Sequence, residues 1–173
     1  MNELIRYLET ISSEDKRRDT GALAALRRGL TMPPGTCAEM FPYVLPHLTP
    51  NEQVYDFPTY CLVAALFAYH SKFAAEGNMG DHMRIASKES TEATERRFTN
   101  LLRSHPDDLY IHLRQAVSYL KSKEVPVNWN KLLKDLLRWE NDQMIVQKAW
   151  ARGYWGYLKA ENNQEENKQS KEE

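Results

Sequence analysis

Apolar residues recur at helical spacing along almost the whole chain. No segment alternates apolar and polar residues over five or more positions between turn signals. Leu4, Ile5, Leu8 and Ile11, for example, lie on one face of a first predicted helix. A repeat near 3.6 residues indicates helices, whereas strands repeat every two residues. We therefore predict an all-α fold, a compact multi-helix bundle of about seven to nine helices.

Residues that start or stop helices divide this pattern into segments. Thr20 is predicted to cap the second helix, and five prolines in 31–50 restrict any helix there to a single turn. The segment 57–73 is apolar nearly all round, which predicts a central helix. Residues 75–90 contain Gly77 and Gly80 and are predicted to form a loop. Four further helices are predicted, from Ser90 or Thr91 to Ser104, from Pro106 to about Ser122, after a cap at Asn128, and over about 142–160.

The length of 173 residues suits one domain. We assign residues 1–160 to a single all-helical domain, within which two sub-bundles could join near 75–90. Residues 161–173 carry five acids, two bases and no apolar side chain. Such a segment cannot bury enough surface to offset its ordering entropy, so a disordered acidic tail is predicted. The whole chain has a net charge of −1, and the tail, at −3, leaves +2 on the predicted domain.

Several features point to a cytoplasmic protein without membrane contact. No run of 18 apolar residues is present, and the N-terminal sequence lacks the basic and apolar regions of a signal peptide. Two cysteines, Cys37 and Cys61, fit a reducing compartment.

Residues that could carry catalysis or bind a metal lack the required spacing. No CxxC or HExxH pair occurs, and Cys61 lies in the most apolar segment, where a thiol usually packs as a small hydrophobe. Asp107 and Asp108 fit the first turn of a helix, whose dipole favours acids. We therefore predict no enzyme activity, no cofactor and no metal site, although Cys61 with His70, or an Asp/His cluster, remains the enzymatic alternative.

The arginines are more informative. In ERRFTNLLRS, residues 95–104, a helical wheel places Phe98, Leu101 and Leu102 on the buried stripe. Arg96 and Arg103 then lie within about 20° of each other on the opposite face, and Arg97 lies on the flank. Two guanidinium groups in this arrangement can each meet a phosphate, whereas Glu92, four residues before Arg96, offers an alternative surface ion pair.

Other basic residues occur around two more predicted helices. Arg27 and Arg28 end the second helix, where cations also suit the helix dipole, and KRR at 16–18 precedes it. Arg114 lies on the helix after 106, with Lys121 and Lys123 near its end. The four tryptophans have helical spacing that favours a core, so no platform for stacking single-stranded bases is evident.

Three stretches in order resemble the CasB family, the small subunit of the type I-E CRISPR surveillance complex Cascade. They are DTGALAALRRG (19–29), the long segment from ERRF to LLRW (95–139) and VQKAWARGYW (146–155). The resemblance implies a helical, non-enzymatic protein present as two head-to-tail copies beside the other Cascade subunits. It also implies contact with crRNA and with both the target and the displaced DNA strand of the R-loop.

Carried over position by position, the family resemblance implies nucleic-acid contacts at Arg27, Arg28, Arg96, Arg97, Arg103 and Arg114. The chain departs from the family in the loop 78–87, in Glu140–Asp142, where some members are basic, and in its acidic tail. A purely structural helical adaptor, whose arginines pair with acidic partner proteins, is the alternative to nucleic-acid binding.

Overall fold

A computed structural model describes residues 1–13, 18–87 and 91–156. These residues form ten α-helices and no strand, which confirms the all-α prediction. The helices are α1 Glu3–Ser12, α2 Thr20–Arg28, α3 Phe41–Val44, α4 Pro50–Tyr55, α5 Phe57–Tyr69, α6 Met79–Ala86, α7 Thr91–Arg103, α8 Leu109–Ser122, α9 Trp129–Leu136 and α10 Ile145–Trp155. The predicted disordered tail, 161–173, and the end of the last predicted helix lie outside the described residues.

The apolar helix α5 occupies the centre, as predicted. Its buried side chains lie on every side of the helix, and it contacts α1, α2, α8 and α9. The proline-rich segment before it forms only short helices and single turns, also as predicted, because each proline removes a backbone donor. The buried apolar residues of all these elements join in one core cluster.

The predicted loop 75–90 is wrong over much of its length, because Met79–Ala86 is the helix α6. Asn78 caps it by accepting from the backbone N–H of Gly80 at 2.8 Å and of Asp81 at 3.3 Å. In the reciprocal hydrogen bond, the Asp81 carboxylate accepts from the backbone N–H of Asn78 at 2.8 Å, which completes a capping box. Only Gly77, with a φ of +88°, has the turn conformation that the glycine content suggested.

Gly80 has a packing role instead. A Cβ at this position would lie 1.8 Å from the carbonyl oxygen of Trp150, so α6 and α10 approach with no room for a side chain.

Two smaller corrections concern helix faces and caps. Asp19, rather than Thr20, caps α2 by accepting from Ala22 N–H at 2.9 Å. On α7, Thr94 is fully buried whereas Leu102 is only partly buried.

Two buried histidines hold the segment before α9 against the rest of the fold. His70 Nε2 donates to the carbonyl of Val125 at 2.7 Å. The backbone N–H of Asn128 donates to His82 Nε2 at 3.0 Å, so that nitrogen must be unprotonated. Burial lowers the pKa of both imidazoles. The Asp81 carboxylate partly offsets this decrease at His82, and the hydrogen bond to the Val125 carbonyl partly offsets it at His70.

We expect the stability of the protein to fall as the pH drops below about 6.5, the ordinary imidazole pKa. Below that pH the unfolded state binds a proton at each histidine that the folded state does not bind. Each such histidine therefore lowers the free energy of unfolding by up to about 1.4 kcal/mol per pH unit, until the pH reaches its pKa in the folded state. Urea unfolding measured between pH 5 and 8 tests this. His82→Gln, whose amide oxygen can still accept from Asn128, should flatten the acid limb. An acid limb as steep in His82→Gln as in the unaltered protein would contradict the assignment to His82.

Candidate nucleic-acid interface

The six arginines predicted to contact nucleic acid are all exposed and lie on three helices. Arg27 and Arg28 end α2, Arg96, Arg97 and Arg103 lie on α7, and Arg114 lies on α8. Within the described ranges, none of the six forms an ion pair with a carboxylate. The alternative pairing of Glu92 with Arg96 is therefore not formed. An unpaired, exposed guanidinium is available to an external anion.

A groove between α7 and α8 brings two of these arginines together. We call it the arginine groove, and it has a volume of about 540 Å³. Most of its wall is one solvent-facing stripe of α8 whose members recur every three or four residues. It is lined by Arg97, Ile111, Arg114, Gln115, Ser118, Tyr119 and Ser122.

Arg97 lies over the face of Tyr119, with Cζ 5.0 Å from the ring centroid. The ring itself is fixed, because its hydroxyl donates to the Ala86 carbonyl at 3.0 Å and lies 2.7 Å from Thr94 Oγ1. The wheel placed Arg97 only on the flank of the helix. The structure shows that this flank faces α8, which is why Arg97 belongs to the groove.

Arg114 connects the groove to the end of α2. Its Nη1 donates to the Leu30 carbonyl at 2.7 Å, two residues beyond Arg28. Arg27 Nε similarly donates to the Ala68 carbonyl at the end of α5, at 2.7 Å. Each carbonyl uses one of the five N–H donors of a guanidinium and orients the remaining ones.

The end of α5 joins these two parts of the surface. Tyr69, next to Ala68, has its hydroxyl 3.3 Å from Ser118 Oγ in the groove. Lys121 Nζ lies 3.8 Å from the centroid of the Tyr69 ring. The adjacent residues Ala68 and Tyr69 therefore link Arg27 to the arginine groove, and Lys121 adds a cation beside it.

The remaining predicted arginines lie outside the groove. Arg96 and Arg103 are exposed on α7 but do not line it, in agreement with a wheel position opposite the core. Hydrogen bonds from the backbone N–H of Glu39 and from Cys37 lower the pKa of the Glu39 carboxyl. The charge of Arg28 lies close enough to add a smaller decrease. The structure thus groups Arg97 with Arg114 rather than with Arg96 and Arg103. Of the basic loop residues 16–18, only Arg18 is described, and it is exposed.

Sequence reasoning did not single out Tyr69, Gln115, Ser118 or Tyr119. A usable signal was present, because the exposed and half-buried residues from 111 to 122 recur at three- and four-residue intervals on α8. That stripe predicts a solvent-facing side of the helix. Which other helix borders it cannot be derived from the stripe alone.

The candidates for catalysis have structural roles here. Burial raises the pKa of the Cys61 thiol to about 12, which keeps it protonated and unreactive. Asp81 caps α6, and His105 Nδ1 lies 3.3 Å from Asp107 on the surface. Among the described residues, no three His, Cys, Asp or Glu side chains are grouped to hold a metal ion. Nor does this part of the chain contain a helix long and apolar enough to cross a bilayer.

Comparison with known proteins decides the family. The family model described as CRISPR-associated protein Cse2 matches residues 22–155, which include all six arginines. The chain belongs to the Cse2 family, also called CasB. The resemblance to CasB predicted from sequence is thereby confirmed.

Individual Cse2 relatives cover nearly the whole chain. CRISPR-associated protein Cse2 of Thermus thermophilus is 34% identical over 153 residues, which are 87% of this chain and 89% of the relative. The crystal structure of CasB from Thermus thermophilus has a TM-score of 0.74 at 30% identity and covers 88% of this chain and 96% of its own. A chain of a CRISPR RNA-guided surveillance complex has a TM-score of 0.73 at 24% identity, with 93% and 98% covered, and shares the fold.

Proposed function

We propose that this Cse2-family chain is a non-enzymatic small subunit of a Cascade complex. In this role it binds nucleic acid without sequence specificity and stabilises the R-loop of crRNA and target DNA, including the displaced strand. Its partners are then the other Cascade subunits and a second copy of itself. The surveillance-complex chain with the same fold supports this assignment.

The arginine groove is the observation that carries the nucleic-acid part of the proposal. Arg97 and Arg114 line it without a carboxylate partner among the described residues. Ser118, Ser122 and Gln115 add neutral hydrogen-bonding groups along the same wall. Guanidinium, hydroxyl and amide groups are the side chains that contact phosphate oxygens and thereby position a strand without reading its sequence.

The aromatic residues of this surface favour phosphate contact over base stacking. Arg97 covers the face of Tyr119, and Lys121 covers the face of Tyr69. A base can stack only on an open ring face. Since a cation already covers one face of each ring, we expect this surface to contact the phosphate backbone of the nucleic acid, as a subunit that accepts any sequence requires.

Modest contacts suffice for this role. The exchange of a DNA duplex for an RNA–DNA heteroduplex is nearly balanced in free energy, so a few arginine–phosphate contacts can shift it. Attachment to a complex also raises the effective concentration of the groove near the strand. A near-neutral chain with a local cluster of arginines fits this requirement.

Removal of both groove arginines tests the proposal. We expect the isolated protein to bind labelled single-stranded DNA weakly and with a steep dependence on salt. Arg97→Ala/Arg114→Ala should weaken this binding roughly tenfold at low salt. It should also flatten the slope of log K against log salt by about 1.4, the contribution of two phosphate contacts on a single strand.

Fluorescence anisotropy at several salt concentrations gives both quantities. Arg138→Ala is the matched control, because Arg138 is exposed but lies outside the groove. It should reduce affinity less than twofold. A double variant with the same affinity and slope as Arg138→Ala would show that the groove does not bind nucleic acid.

A role in assembly is the second candidate for the outer arginines. Arg96 and Arg103 are exposed, lie outside the groove and have no acidic partner among the described residues. They are therefore placed to pair with an acidic surface of another subunit. Arg103→Glu should then weaken incorporation into the complex while DNA binding by the complexes that do assemble is unchanged; a loss confined to DNA binding would assign Arg103 to nucleic acid.

A further inference from the structure

The described part of the chain ends beside α7. Trp155, the last residue of α10, donates from Nε1 to Glu95 Oε1 at 3.2 Å. Its ring also packs against Phe98, with the centroids 5.4 Å apart. The described residues therefore end at Gly156, next to the helix that carries Arg96, Arg97 and Arg103.

The arginines of α7 follow one another around the helix, starting from the flank of Glu95. Successive residues of a helix are about 100° apart, so Glu95 and Arg97 lie on opposite flanks of the buried stripe. Arg96 and Arg103 lie between them on the outer face. A chain leaving on the flank of Glu95 reaches Arg96 and Arg103 first, and then Arg97 at the edge of the arginine groove.

The residues that follow are long enough for this path. Half the circumference of a helix with side chains is roughly 16–19 Å. Residues 157–161 span at most about 16–18 Å, which is enough for Glu161 to reach the outer face of α7. All 17 residues from 157 to 173 span up to about 56–61 Å, enough to cross the groove to Arg114.

The charge of the segment is complementary to this surface. Residues 161–173 contain five glutamates and two lysines, a net charge of −3, and they contain no apolar residue. The six exposed arginines of α2, α7 and α8 have no carboxylate partner among the described residues. Each contact is weak at the surface, but a short tether provides an effective concentration in the millimolar range.

We propose that residues 161–173 dock on the outer face of α7 and in the arginine groove of the same chain, where they compete with nucleic acid. The docking itself stands on the exit point, the length and the charge; the competition rests on the proposed function. The tail then acts as a substitute polyanion. A nucleic-acid strand with a regular array of phosphates displaces it, whereas weaker anions do not.

A spin label tests the docking without any nucleic acid. Both native cysteines are buried, so a label on Ser170→Cys reacts selectively. At low salt we expect line broadening of the backbone amide signals of Arg97, Arg114 and Ser118. Signals of Val54 and Tyr55, exposed on α4, should remain sharp. Broadening that is absent or equal on both surfaces, or that persists in Arg97→Ala/Arg114→Ala, would overturn the docking.

DNA binding tests the competition. Replacing the five glutamates of the tail by glutamine should tighten binding of single-stranded DNA about three- to tenfold at 50 mM salt. The difference should vanish near 0.5 M salt, where charges are screened within a few ångström. Lys168→Gln/Lys171→Gln makes the tail more acidic and should weaken binding instead.

A second control separates docking from overall charge. Five exposed acids outside the groove can be neutralised together, at Glu3, Glu76, Asp107, Glu140 and Asp142. This variant should change the affinity for single-stranded DNA less than twofold. An effect as large as that of the tail variant would show that the tail acts only through the overall charge of the protein, and it would overturn the proposal. If the groove variant binds DNA normally, the proposed function fails while the spin-label result still decides the docking.

Discussion

Replacing Gly80 by alanine is expected to destabilise the protein by more than about 3 kcal/mol. The new Cβ would lie 1.8 Å from the Trp150 carbonyl oxygen and 2.7 Å from its carbonyl carbon. Both atoms belong to the backbone of α10, so no side chain can turn away to make room. Overpacking usually costs about 1–3 kcal/mol of stability. A Cβ on α6 pressed against the backbone of α10 can be relieved only by moving one helix, so the cost lies at or above the upper end of that range.

Urea unfolding at neutral pH measures this effect, and Gly21→Ala provides the matched control. Gly21 also lies in a helix, but a Cβ there would come no closer than 3.4 Å to another group, Asp19 Oδ1. Alanine should therefore be neutral or stabilising by up to about 1 kcal/mol at this position, because it favours the helix. If Gly80→Ala unfolds at the same urea concentration as Gly21→Ala, α6 and α10 do not approach as described.

Replacing Trp129 by alanine is expected to cost about 3–5 kcal/mol. The side chain is fully buried at the start of α9 and packs edge-on against Phe67 of α5, with ring centroids 5.5 Å apart. Its Nε1 donates to the Lys72 carbonyl at 3.1 Å. Alanine removes the ring contacts and the hydrogen bond together, and it leaves a cavity between α9 and the central helix.

Trp129→Phe separates the two contributions. Phenylalanine keeps most of the apolar volume, and the Lys72 carbonyl still accepts from Val127 N–H at 3.1 Å. The loss should therefore be roughly 1–2 kcal/mol, mainly one hydrogen bond and some volume. Equal midpoints for the alanine and phenylalanine variants in urea unfolding would show that the aromatic packing contributes little.

The same packing positions the arginine groove. Tyr119 supports Arg97, and its hydroxyl is held by the carbonyl of Ala86, the last residue of α6. Because α6 is in turn packed on α10 through Gly80, the crossing of these two helices fixes one wall of the groove from behind. A destabilised crossing is therefore expected to loosen the Arg97 side of the groove before it affects Arg27.

Much of the fold followed from local patterns in the sequence. The apolar residues on nearly every side of 57–73 predict a central helix, which the structure forms over Phe57–Tyr69. The prolines in 31–50 restrict helices there to short pieces, and Asn128 is predicted as a cap. The loop expected at 75–90 shows where such patterns mislead. A glycine required by a turn and a glycine required by a close helix crossing look the same in a sequence, and only the position of Trp150 identifies Gly80 as the second kind.

The sequence by itself determined that the chain is helical and that the arginines of α7 are exposed, because helical period and polarity are properties of each segment. It also carried the resemblance to the Cse2 family, now shown by the match over 22–155. Only the tertiary structure decided which arginines lie together. Arg97 and Arg114 are 17 positions apart, and they share a groove because α7 packs beside α8 and Tyr119 holds the flank of α7 against it. A helical wheel describes one helix at a time, so it correctly placed Arg96 with Arg103 but could not show that Arg97 faces a neighbouring helix.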